Sequence, residues 1–244
     1  MLELIIVIVL IGILGASGAE FIAMAFKSFH DTDRRTEIYE EGRLAMMRME
    51  RELRSAAPNA VTVSTTDIAF GMIDGREMAT VFGRYNEETP TNAITDPLAA
   101  PSAGSLISIN NSQWADFNGG GRLYQITSVV DKEMTLSKNV VSGSPEQRYF
   151  VICGPAVPCK QAVRYRVDNN AVLWRETATI SATGVGAFGN PYPLARNLSK
   201  VDTLDYFTYT TGSDSNILVE INFAIISDNE TVKFHQEIQI RNVP

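Results

Sequence analysis

The sequence predicts an α+β protein in which one long N-terminal α-helix is packed on an antiparallel β-sheet domain. Three observations carry this. An unbroken apolar run covers 4–19, entered by a single carboxylate, Glu3. Helical periodicity then continues as far as Pro58, and beyond residue 60 the chain changes to short alternating or apolar runs between turn residues. These divide the chain into a helix over 1–57, with a membrane-spanning part over about 4–26, and a β-rich domain over 58–244.

Between residues 4 and 19 only Gly, Ala and Ser interrupt the aliphatic side chains, and after Glu20 the apolar character resumes at Phe21, Ile22, Met24 and Phe26. At 1.5 Å per helical residue, 4–26 reaches about 34 Å, enough to cross a bilayer core of about 30 Å. A carboxylate embedded there costs roughly 2.5–3.5 kcal/mol even on the lenient insertion scale. Glu3 therefore needs a cation. A cleaved secretory signal would open with Lys or Arg, and here the only charge before the run is negative, although Gly15-Ala16-Ser17-Gly18-Ala19 imitates a cleavage end. A buried core helix fits less well than a membrane helix, because the run is apolar on every side.

After Lys27 the pattern becomes amphipathic. Tyr39, Met46, Met49 and Leu53 fall at spacings of seven, three and four, one stripe of a helix, with Ile38 and Ala45 alongside. Around them stand Asp31, Asp33, Glu37, Glu40, Glu41, Glu50 and Glu52 against Arg34, Arg35, Arg43, Arg48, Arg51 and Arg54. This charge run reads as a solvated face, with Glu37 and Glu41 in repulsion and Glu50 and Arg54 in attraction. Ala57-Pro58-Asn59 should end the helix, since proline disfavours helical geometry at the preceding residue. Gly12, Gly15 and Gly18 weaken the apolar half by about 1 kcal/mol each relative to alanine, and such small residues allow another helix to approach closely.

In the second part, strands are expected at 60–63, 67–70, 79–83, 106–109, 122–130, 134–136, 149–153, 162–167, 172–175, 203–209, 217–226 and 231–240. Asp168-Asn169-Asn170 and Ser227-Asp228-Asn229 read as hairpin turns, because Asn and Asp tolerate left-handed backbone. The stretches 87–104 and 181–193, rich in turn residues, read as long surface loops. The aromatics Trp114, Trp174, Tyr206, Phe207 and Tyr209 alternate with polar residues as strand core positions do, which favours core over a sugar- or surface-binding platform.

Composition is ordinary, with 244 residues of which 45% are hydrophobic and 20% charged. The net charge of -7 argues against nucleic-acid binding, since phosphates repel such a surface. Nothing points to an enzyme or a cofactor. Gly184-Val185-Gly186-Ala187-Phe188-Gly189 matches a dinucleotide pattern but runs into Asn190-Pro191-Tyr192-Pro193 and not into a helix. The chain has two histidines, His30 and His235, too few for a metal site with its two cysteines. Asp202, Asp205, Asp214 and Asp228 lack EF-hand spacing and read as solvated loop acids.

The segment Leu2-Glu3-Leu4-Ile5-Ile6-Val7-Ile8-Val9-Leu10-Ile11-Gly12-Ile13-Leu14 resembles the start of type IV pilins and type II secretion pseudopilins. Two further stretches, 43–54 with Ala57-Pro58-Asn59-Ala60-Val61, and 234–244, are similar to minor pilins of the mannose-sensitive haemagglutinin (MSHA) pilus. Minor pseudopilins of type II secretion share the Glu-Arg-rich helix end, the β domain and a segment like Ala195-Arg196-Asn197-Leu198. The resemblance implies a basic leader upstream, ending in glycine and removed by a prepilin peptidase, then methylation of the new terminal amine. Glu3 would be the fifth mature residue, pairing with the terminal ammonium of a neighbouring subunit and so setting register. It further implies other minor and major pilins as partners through the helix, an inner-membrane assembly platform, a single pass through the inner membrane and a periplasmic β domain. In that oxidising compartment Cys153 and Cys159 would form a disulfide. A membrane-anchored periplasmic binding module stands as the alternative outside the family.

Overall fold

The structure, a computed structural model, describes residues 2–73, 82–98, 100–154, 161–211, 217–227 and 230–240. It is an α+β protein. Helix α1 (Leu2–Leu53) is 52 residues long, which corresponds to about 78 Å. Strands β1 (Ala56–Val63), β2 (Asp67–Met72), β3 (Gly83–Arg84), β4 (Ala93–Thr95) and β5 (Leu106–Ser108) precede a short helix α2 (Trp114–Asn118). There follow β6 (Leu123–Val130), β7 (Glu133–Leu136), β8 (Arg148–Cys153), β9 (Ala162–Val167), β10 (Leu173–Ala178), β11 (Ile180–Ser181) and β12 (Gly184–Val185). The chain closes with β13 (Gly189–Ala195), β14 (Leu198–Ser199), β15 (Phe207–Thr211), β16 (Ile217–Ser227) and β17 (Glu230–Ile240).

All strand pairs are antiparallel. One sheet has the order β1-β2-β9-β10-β13, a second β3-β8-β5-β6-β7-β4, and in a third β16 is flanked by β14 and β15 on one path and pairs with β17. Strands β11 and β12 pair with each other. Alternation explains the third sheet: Val219, Ile221, Phe223 and Ile225 of β16, with Phe234, Ile238 and Ile240 of β17, are buried at every second or fourth position. Their register, Val219 opposite Ile238 and Phe223 opposite Phe234, is fixed because a one-residue slip would turn this set to solvent. The first and third sheets share one core with the last third of α1, through Ile38, Ala45, Met46, Met49 and Leu53. The second sheet has its own core, centred on Tyr85, Tyr124, Tyr149 and Met134.

Several expectations are corrected. Helix α1 ends at Leu53, not at 57, because Ser55 closes it: its amide and hydroxyl both donate to the Glu52 carbonyl, at 3.0 and 2.7 Å. Pro58 lies inside β1, which tolerates it as the edge strand of its sheet, with a register shift between Ala56 and Val61 and Asn59 at φ 55°. The stretch 181–193 is not a loop: β12 and most of β13 lie in it, and β13 pairs with β10 despite two prolines, again at a sheet edge. Likewise 87–104 contains β4, paired with β7. Strand β15 starts four residues later than expected, at Phe207. Residues 79–81 of one expected strand and Asp228-Asn229 of one expected turn lie outside the described residues, whereas Asp168-Asn169-Asn170 does join the paired β9 and β10.

Candidate functional site: the exposed arm of α1 and its anchorage

Every described side chain of 3–37 is exposed, and burial begins at Ile38. The arm carries a row of large apolar side chains, including Leu4 at 67%, Leu14 at 70% and Phe21 at 74% exposure. Burying fifteen such residues is worth roughly 22–45 kcal/mol at about 1.5–3 kcal/mol each, more than the ~5–15 kcal/mol that separates folded from unfolded chains. An apolar surface on this scale is covered by lipid or by other protein. It is one helix long and apolar enough to cross a membrane.

Glu3 stands in the first turn of α1, where free amides and the helix dipole favour an anion. Among the described residues no basic side chain pairs with it. The first base along the helix is Lys27, about 36 Å away at 1.5 Å per residue, so the helix itself cannot supply the cation. Gly12, Gly15 and Gly18 have open space where a β-carbon would stand, so none of the described residues packs on them.

The arm is held rigidly at its other end. Phe234 of β17 lies against α1 at Gly42, and its ring is 6.3 Å from that of Tyr39 in a stacked arrangement and 5.2 Å from that of Phe223. Three carboxylates of the helix reach into the sheets. Glu41 accepts the Arg196 amide at 2.9 Å, and Glu50 accepts the Gln236 amide at 2.6 Å and the Arg54 guanidinium at 2.7 Å. Glu52, nearly buried, accepts Tyr165 Oη at 2.5 Å, Arg175 Nε at 2.9 Å and Arg48 Nε at 3.3 Å. The hydrogen bond from Arg54, with that from Gln236, holds the Glu50 carboxyl below the usual carboxylate range. Burial, reinforced by the adjacent Glu52 charge, pushes the Tyr165 hydroxyl far up.

The charge run is thus not only a solvated face: Glu50 and Arg54 do attract, while Glu41, Glu50 and Glu52 tie helix to sheets. Tyr39 is half-exposed, not core, and its place in the buried stripe is taken by Gly42. Of the aromatics, Phe207 is core, whereas Trp114 sits on α2 and Tyr209 is 56% exposed. Trp174 donates its indole N–H to Asp168 at 2.8 Å. Cys153 ends β8 and is disulfide-bonded; Cys159 lies outside the described residues. His30 stands in the exposed arm, and His235 meets Asn222 at 2.6 Å. Asp205 pairs with Lys200 at 2.6 Å and Asp202 with Lys233 at 3.7 Å, while Asp214 and Asp228 lie outside the described residues. Among the described residues no three His, Cys, Asp or Glu side chains gather as a metal site. The Gly184–Gly189 segment forms β12 and leads into strand β13.

Fold and arm together define an α+β protein with one N-terminal helix able to cross a membrane. Compared with protein-family models, with curated proteins and with solved structures, the chain matches none.

Proposed function

We propose that this chain is a minor pilin of a type IV, MSHA-like pilus, a structural subunit of pilus assembly or of the tip complex. The observation that carries the reading is an exposed apolar arm, continuous with a helix anchored in the β domain, whose carboxylate at the entrance finds no cationic side chain among the described residues. A helix serving merely as an anchor gains nothing from Glu3, which costs about 2.5–3.5 kcal/mol in lipid. A subunit that leaves the membrane sideways to pack on other pilins uses it, because a neighbour's terminal ammonium then makes one axial register the most stable. The β domain would stand in the periplasm and the arm in the inner membrane until assembly. A minor pseudopilin of type II secretion uses the same elements and stands as the second reading.

Mass spectrometry of the N-terminal peptide from purified membranes tests the reading. The expected peptide begins two residues ahead of Met1 with a methylated amine. A chain starting after Ala19, or an unmodified start at Met1, overturns it.

A further inference from the structure

Where the arm meets the β domain, α1 and the first residue of β17 enclose a recess of about 290 Å³. That is close to the lower end of the usual range for small-ligand sites, roughly 300–1,000 Å³. Met24, Lys27, Ser28, Asp31 and Arg35 follow one another at helical spacing on one face of α1, and Glu230 of β17 stands across from them. The apolar run sets the level of this recess. With a membrane-spanning part over about 4–26, Lys27 lies at its outer boundary and Asp31 about 6 Å further out, at 1.5 Å per residue.

The charged groups are disposed for a ligand. Lys27 with Asp31, and Asp31 with Arg35, fall four residues apart, a spacing at which opposite charges pair on a helix. Yet none of these three, nor Glu230, forms an ion pair among the described residues. Helical side chains lean toward the N-terminus, here toward the bilayer, so Met24 and Lys27 reach down while the two carboxylates stay above them. Going outward from the bilayer, the order is apolar, cationic, anionic.

We infer that this recess holds the headgroup of a zwitterionic phospholipid with a primary amine, phosphatidylethanolamine. Such a lipid has the same order: acyl chain, phosphate, then an ammonium across a short ethylene bridge. Met24 lies along the chain, Lys27 and the Ser28 hydroxyl donate to the phosphate, and Asp31 and Glu230 accept from the N–H groups of the ammonium. A choline headgroup lacks those donors, and a glycerol headgroup brings no cation to the carboxylates. Arg35, one turn further out, balances the second carboxylate, so the described charges of the recess suit a neutral zwitterion better than an anionic lipid. The inference rests on the arm lying in a bilayer and is independent of the filament reading.

The test reconstitutes the full chain in vesicles of equal parts phosphatidylethanolamine, phosphatidylcholine and phosphatidylglycerol with matched acyl chains. After a carbonate wash and mild detergent extraction, native mass spectrometry counts the lipids each copy retains. The wild type should retain the ethanolamine lipid at least threefold over either of the others. Asp31→Asn with Glu230→Gln should bring the three to parity, whereas Asp33→Asn, at the same level but on another face of α1, should leave the preference unchanged. Asp31 and Asp33 are exposed and Glu230 opens its strand, so the fold is kept in each variant, to be checked by an unchanged thermal midpoint. A chain that the carbonate wash removes would overturn the membrane reading and the inference with it. An inserted chain without lipid preference, one preferring the choline or glycerol lipid, or an unchanged preference in the double variant would overturn the inference alone.

Discussion

The ring of Phe234 occupies the space that a β-carbon on Gly42 would need. The glycine thus lets the third sheet close directly on the backbone of α1. Alanine normally gains about 1 kcal/mol over glycine inside a helix, whereas overpacking costs about 1–3 kcal/mol. With Phe234 hemmed in by Phe223, the second effect should win. Gly42→Ala is expected to lose about 1–2 kcal/mol in urea denaturation of the full chain, and Phe234→Leu in the same chain should recover part of it. A gain in stability would refute this packing.

Glu52 should be the costliest single truncation in the anchorage. Removing it leaves Arg175, only 15% exposed at its side chain, and Tyr165 without their acceptor. Breaking such a pair costs about 3–5 kcal/mol, whereas Tyr165→Phe, which deletes only a donor, should cost about 1–2 kcal/mol. Denaturation midpoints of the two variants decide this; a loss below 1 kcal/mol for Glu52→Ala would contradict it.

Stability should fall at both ends of the pH scale. Burial pushes the Glu176 carboxyl up, but hydrogen bonds from Arg166 and Arg164 outweigh it and hold the group below its usual value; Asp168 is lowered first by the Val172 amide. Groups depressed in the folded chain contribute fully above their unfolded values of about 4, and that contribution is lost as pH falls through the lower folded values. In Tyr149 and Tyr165 burial comes first and the neighbouring Asp96 and Glu52 second, and both hydroxyls are pushed far up. Their contribution is complete below about pH 10 and is lost as pH rises from there through the folded values. Thermal midpoints should be flat between about pH 5 and 9, with a shallower acid limb in Glu176→Gln.

The disulfide at Cys153 should stabilise by about 2–4 kcal/mol. A reductant is expected to lower the thermal midpoint of the wild type and to leave that of Cys153→Ala unaffected. Equal sensitivity of the two would remove the disulfide from the stability of the β domain.

Periodicity made the outline legible. The apolar arm, the stripe of Ile38, Ala45, Met46, Met49 and Leu53, and the long β16 and β17 strands all follow from spacing alone, because each buries one side of a regular element. What escaped depends on contacts distant in sequence. Glu52 looks like any other exposed helix acid until Tyr165 and Arg175, more than a hundred residues on, stand beside it. Gly42 carried a weak signal, an isolated glycine inside an amphipathic helix, which often marks a close approach. Strand β13 was hidden by Pro191 and Pro193, which an edge strand accommodates and a central one does not. Tyr209 looked like core because alternation cannot separate a strand's two faces when both carry apolar residues, whereas Trp114 stands on α2, where strand alternation does not apply, and packs partly buried against the core.

The most direct measurement is a count of filaments, by electron microscopy of sheared surface fractions, in cells whose chromosomal copy carries Glu3→Ala, with membrane insertion of the variant verified by fractionation. If Glu3 sets subunit register, the variant inserts normally while filaments, or their content of this subunit, drop at least tenfold. Normal filaments containing the inserted variant would show that Glu3 has no part in assembly and that the arm is an anchor alone.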